Sequence, residues 1–123
     1  MTKVGFIGLG NVGAKLAGTL QRNEVDLWVY DIEPAQAAPF LAQGAAWADS
    51  PADMAQKVDV VITCLPSPKA SATVMEAENG ILQGLSAGKI WIEMSTTDEA
   101  EVRRLAVLVE ALGAQAADCP VSG

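Results

Sequence analysis

Gly8, Gly10 and Gly13 interrupt the chain between a short apolar run, Lys3 to Ile7, and a segment in which Val12, Leu16 and Leu20 recur every four residues. No other feature constrains the fold as strongly. A strand that turns at once into a helix leaves the first backbone N–H groups of that helix without partners. The positive end of the helix dipole comes to the same point. Gly8 permits the tight turn, Gly10 lets a ligand approach the backbone, and Gly13 lets the helix pack closely on the strand. Such a junction suits an anion, and phosphate in particular. A glycine-rich turn with no ligand is the plainer reading of the same three residues, and the spacing alone leaves it open.

The remainder of the chain repeats the alternation of short apolar runs and helical segments. Strands are predicted at Lys3 to Ile7, Asp26 to Tyr30, Ala45 to Ala48, Val58 to Leu65, Lys89 to Met94 and Gln115 to Ala117. Their β-branched and aromatic content, with few charges, predicts parallel strands covered on both faces. Ser50-Pro51 and Ser67-Pro68 read as N-caps followed by proline at the first helical position. Asn79-Gly80 reads as a left-handed helix stop. A last helix near Asp98 to Leu112 puts Val102, Leu105, Ala106, Val109 and Leu112 on one face and ends at Gly113. Glu101, Arg103, Arg104 and Glu110 then form a solvated surface. With 123 residues, half of them hydrophobic, the expectation is one α/β domain over residues 1–123.

In that setting the glycines match G-x-G-x-x-G, the dinucleotide fingerprint of the Rossmann-type doubly wound fold, here with a mainly parallel sheet of about six strands. Asp31 closes the second strand, at about the 20-residue interval the fingerprint requires. A carboxylate there accepts hydrogen bonds from ribose hydroxyls and repels a 2′-phosphate. No Lys or Arg occurs between Arg22 and Lys57, so NAD is expected over NADP. The plainer reading of Asp31 is a turn or N-cap acid ahead of Pro34.

Composition narrows the remaining classes. A net charge of −7 with scattered basic residues argues against nucleic acid and anionic membranes as partners. No uncharged stretch approaches the roughly 20 residues of a membrane span, and no secretion signal is seen, so a cytoplasmic protein is expected. Cys64 and Cys119 are too few for a disulfide framework, and Cys64, inside an apolar run, reads as a buried and inert thiol. The chain contains no histidine. That excludes Ser-His-Asp and Cys-His catalysis within it and removes the commonest zinc ligand, and no metal is expected.

Three further segments follow predicted strands: Leu65-Pro66-Ser67-Pro68, Ser95-Thr96-Thr97, and Asp118 to Gly123. Singly, Ser67 and Thr97 read as helix caps. Jointly, the segments outline a cleft at the carboxyl edge of the sheet, where open α/β folds bind ligands.

These segments, with Val29-Tyr30-Asp31, Gly44-Ala45 and Asp59-Val60-Val61-Ile62, resemble the β-hydroxyacid dehydrogenase family. That group is 3-hydroxyisobutyrate dehydrogenase-like and related to the NAD-binding domain of 6-phosphogluconate dehydrogenase. Asp118-Cys119-Pro120-Val121-Ser122-Gly123 is similar to its substrate-binding signature. The resemblance implies cofactor contacts from Gly8, Leu9, Gly10, Asn11, Val12 and Gly13, from Asp31, and from Leu65, Pro66 and Thr96 around the nicotinamide. It implies that Ser122 and Gly123 bind the carboxylate of a small hydroxy acid. It also implies a proton-transferring lysine in a G-x-G-x-x-x-K stretch beyond that signature, and a helical domain that makes the full-length protein a homo-oligomer. No such lysine segment is in this sequence, so no catalytic residue is expected here, and the chain is expected to bind NAD weakly without turnover.

Other readings are an NADPH-dependent imine reductase, a non-catalytic dinucleotide-binding or interaction module, and a methyltransferase. Asp31 counts against the first, and a strand starting at Lys3 counts against the last. Where the family often has Gly-His near Glu24-Val25, Asn23 is expected to take the left-handed position.

Overall fold

Apolar runs too short for helices, each bounded by polar or glycine-containing turns, form six parallel strands in a computed structural model that describes residues 2–94 and 98–118. The strands are β1 (Lys3–Ile7), β2 (Asp26–Tyr30), β3 (Ala46–Trp47), β4 (Val60–Thr63), β5 (Ile90–Glu93) and β6 (Gln115–Asp118). Their spatial order is β3-β2-β1-β4-β5-β6. The chain therefore begins in the middle of the sheet, builds outward through β2 and β3, and returns to the other side of β1 at β4. That reversal is the switch point of a doubly wound Rossmann-type fold. In register, Gly5 pairs with Trp28 on one side and with Val61 on the other.

Helices cover both faces: α1 (Asn11–Arg22), α2 (Ala38–Ala42, after a 3-10 turn at Pro34–Ala37), α3 (Pro51–Lys57), α4 (Pro68–Glu76), α5 (Ile81–Gly84) and α6 (Glu99–Ala111). Neighbouring residues of one strand point to opposite faces. Phe6 joins a core with Leu27, Val29, Ala17 and Phe40, while Ile7 joins the opposite core with Met54, Val61, Trp91 and Leu105. Trp91 is fully buried and donates its indole N–H to Thr63 Oγ1 at 3.0 Å, so the largest core side chain leaves neither polar group orphaned.

The expected caps are present. Ser50 Oγ accepts from Asp53 N–H at 3.0 Å and Ser67 Oγ from Ala70 N–H at 3.1 Å. Asp98 accepts from the amides of Ala100 and Glu101 at the start of α6. Asp53 in turn accepts from Asp49 N–H and bonds Lys57, and these bonds hold its carboxyl below the usual range.

Four local expectations are corrected. The strands predicted at Ala45 to Ala48 and Val58 to Leu65 shrink to β3 and β4, because the flanking residues serve as turns and caps. Gly80 is extended (φ −79°, ψ 172°) and is the N-cap of α5. Its lack of a side chain serves a close approach, since a Cβ would lie 2.6 Å from Met75 O. The left-handed residue after α1 is Glu24 (φ 60°), not Asn23. Asn23 Nδ2 donates to Thr19 O at 2.7 Å, which holds Asn23 in a right-handed turn and moves the reversal one residue on. Leu112 is 41% exposed, because α6 ends at Ala111 and buries only Val102, Leu105 and Val109.

Gly13 seats α1 on the end of β1: a Cβ there would lie 1.9 Å from Gly8 O, a backbone atom that cannot swing away. Gly13→Ala is expected to destabilise the fold by about 3 kcal/mol or more, measured by denaturant unfolding. Glu24→Gly removes a left-handed penalty of about 1–2 kcal/mol and adds about 0.5–1 kcal/mol of chain entropy, so it is expected to stabilise the fold slightly. A lower denaturation midpoint for Glu24→Gly would contradict that reading of the turn.

Candidate functional site

At the switch point the carboxyl ends of β1, β2 and β4 open into a cleft of about 840 Å³. Its floor is the glycine loop. Gly8 takes φ 101°, and a Cβ on it would lie 2.1 Å from Cys64 O, so the loop is pressed against the end of β4. Gly8 N–H donates to Tyr30 O at 3.2 Å. Leu9 N–H donates to Asp31 Oδ2 at 2.7 Å, and Asp31 Oδ1 accepts from Glu33 N–H at 2.8 Å. Gly10 is the N-cap of α1 and offers no side-chain cap. A Cβ at Gly10 would meet nothing within 4 Å, so this point of the loop faces open space.

Ala14 N–H is bonded to Gly10 O at 2.7 Å, which leaves the amides of Asn11, Val12 and Gly13 ahead of the intrahelical ladder. No acidic residue lies in the first turn of α1 to neutralise its positive end. The floor is thus built for an anion.

Gly8, Gly10, Asn11, Val12, Gly13, Asp31, Leu65 and Pro66 all line this cleft, as the fingerprint and the strand-end argument require. Leu9 does not. Its side chain is 1% exposed among Phe6, Ala17 and Val29, and its amide is held by Asp31. Thr96, Ser122 and Gly123 lie outside the described residues, as do Ser95, Thr97 and Cys119. The strands that lead to them, β5 and β6, end in register at Glu93 and Asp118, on the same edge as Thr63 of β4.

Several lining residues escaped the sequence reading. Ile32, Glu33 and Gln36 follow Asp31, and Lys69, Ala70, Thr73 and Val74 come from α4. The last four share one helical face, a period visible in the sequence once Ser67 is taken as the N-cap. Ile32 is 88% exposed and Val12 48%, so apolar side chains stand on the walls beside the polar floor. Small-molecule sites commonly combine these two characters. Glu33 and Asp31 lie on the β2 side, and Lys69 is the one cation among the described lining residues.

Cys64 packs against one core and lines the cleft, half-buried rather than fully buried as the sequence suggests. Burial, and then the charge of the fully buried Glu93, push its thiol above the ordinary value. The shift disfavours the thiolate, which is the nucleophilic form. Among the described residues, no helix is long and apolar enough to cross a membrane.

Comparison with known proteins supports the fold and gives the family. Residues 3–123 match the family described as the NAD binding domain of 6-phosphogluconate dehydrogenase. The mitochondrial 3-hydroxyisobutyrate dehydrogenase of Rattus norvegicus is 43% identical over 122 residues, covering 99% of this chain and 36% of that protein. The chain therefore spans about a third of that relative's length. Among solved structures, a 3-hydroxyisobutyrate dehydrogenase of Mycobacterium tuberculosis with L-serine superposes with a TM-score of 0.90 at 30% identity, over 100% of this chain and 41% of that one. An imine reductase of Myxococcus stipitatus in complex with NADP+ reaches a TM-score of 0.88 over 98% of this chain and 41% of its own, but at 18% identity it shows the fold alone. With the match running through nearly the whole chain, the protein belongs to the 6-phosphogluconate dehydrogenase NAD-binding-domain family.

Proposed function

We propose that residues 1–123 are the NAD-binding domain of a 3-hydroxyisobutyrate dehydrogenase-like oxidoreductase, and that this chain alone binds the cofactor without turning substrate over. The observation that carries the reading is the convergence of the glycine loop, Asp31 and Leu65-Pro66 on one cleft at the switch point. The residues fit a dinucleotide. Free amides at the start of α1 and the open space at Gly10 suit a pyrophosphate. The Asp31 carboxylate suits ribose hydroxyls, and the apolar walls suit the rings.

In this reading Leu65 and Pro66 line the nicotinamide-ribose side, Thr96 contacts the cofactor near the nicotinamide, and Ser122 and Gly123 hold the substrate carboxylate. Bound NAD would supply the hydride acceptor for oxidation of a small β-hydroxy acid; these residues hold and orient it. Residues 1–123 contain no G-x-G-x-x-x-K stretch, and burial disfavours the Cys64 thiolate, so no general base is assigned among them. A homo-oligomer is proposed for the full-length protein. A cytoplasmic location is proposed for this chain, whereas the rat relative is a mitochondrial protein.

NAD is proposed over NADP because Asp31 and Glu33 put two carboxylates on the β2 side of the cleft, which would repel a 2′-phosphate bound there. One observation favours the other cofactor: Lys69 stands in the same cleft. Titration of the chain separates the two. NADH is expected to bind about tenfold or more tightly than NADPH. Tighter binding of NADPH, lost in Lys69→Ala, would establish the second reading. Incubation with NAD and 3-hydroxyisobutyrate is expected to yield no reduced nicotinamide, and measurable reduction would overturn the assignment of the chain as a binding part only.

A further inference from the structure

The carboxylate proposed to receive the ribose is already engaged inside the protein. Asp31 Oδ2 accepts from Leu9 N–H at 2.7 Å and Oδ1 from Glu33 N–H at 2.8 Å. The second bond is the ordinary two-residue turn of an aspartate. The first is long-range and holds the amide between Gly8 and Gly10.

The end of β2 thus holds two consecutive loop amides, Gly8 through the carbonyl of Tyr30 and Leu9 through the carboxylate of Asp31. Only the second bond depends on a side chain. On its other side the loop is pressed against β4, and the side chain of Leu9 is sunk in the core. An ionised carboxylate offers about four acceptor positions, so two bonds to amides leave room for ribose hydroxyls.

We propose that Asp31 is a positioning residue for the pyrophosphate cradle, so that its carboxylate sets the phosphate end of the site as well as the ribose end. This rests on the dinucleotide reading above. An asparagine has one acceptor oxygen and would present its NH2 to one of the two amides, leaving donor against donor. A smaller residue chosen to admit a 2′-phosphate would release the loop in the same step.

The test compares NADH with an NADH analogue lacking the adenosine-ribose hydroxyls, on the wild-type chain and on Asp31→Asn. If the carboxylate only receives hydroxyls, the analogue binds both proteins equally, and the proposal is overturned. If it also positions the loop, Asp31→Asn weakens the analogue by about tenfold, the loss expected for a charge-assisted hydrogen bond. Backbone amide exchange gives a ligand-free readout. Leu9 N–H is expected to be protected in the wild type and to exchange faster in Asp31→Asn, with the amides of α6 unchanged as a check on the fold. Failure of the wild type to bind either nucleotide would retire the dinucleotide reading. In that case the exchange of Leu9 N–H decides the anchor alone, and unchanged protection overturns it.

Discussion

The contact on which the rest of the molecule depends is the seating of the α1 N-terminus on the ends of β1 and β4. No side chain fits there: a Cβ on Gly13 would strike the backbone of Gly8, and one on Gly8 would strike that of Cys64. Because the three backbones close to this degree, the helix begins immediately after the strand and its free amides face outward at Gly10. The cleft follows from that single junction. Its walls come from whatever leaves the neighbouring strand ends, namely Asp31 from β2 and Leu65-Pro66 from β4.

An acidic chain is an unexpected host for an anionic ligand. Its net charge of −7 is a long-range property, however, and physiological salt screens charges beyond about 8 Å. At closer range the cleft presents oriented amides, a helix terminus with no acid in its first turn, and Lys69. The carboxylates of Asp31 and Glu33 stand on the β2 side, where a neutral ribose is the expected neighbour. This separation of donors at the loop from acceptors at the strand end is the physical basis of the proposed choice between a hydroxyl and a phosphate.

Much of this was legible in the sequence, for identifiable reasons. Central parallel strands are covered on both faces, so β1, β2, β4 and β5 read as apolar runs, and Ser50 and Ser67 announce the helices they cap. What was missed depended on backbone geometry or on tertiary neighbours. Gly80 looks like a left-handed stop, yet its role is to admit the carbonyls at the end of α4. Asn23 has the right chemistry for a left-handed residue, but its side chain bonds Thr19 and passes the reversal to Glu24. Leu9 matches the fingerprint by position while its side chain serves the core. For Asp31 the turn reading holds, since one oxygen closes the turn, while the other holds the loop; the acceptor positions left over are those the proposed ligand role requires.

Family membership and geometry therefore meet at one cleft. The most direct measurement of that claim is the backbone amide spectrum of the chain during titration with NADH. The account predicts saturable shifts concentrated at Gly8 to Gly13, at Asp31 to Glu33, and along Lys69 to Val74, with β3 and the outer face of α6 unaffected. Absence of saturable shifts, or shifts centred away from the glycine loop, would contradict it.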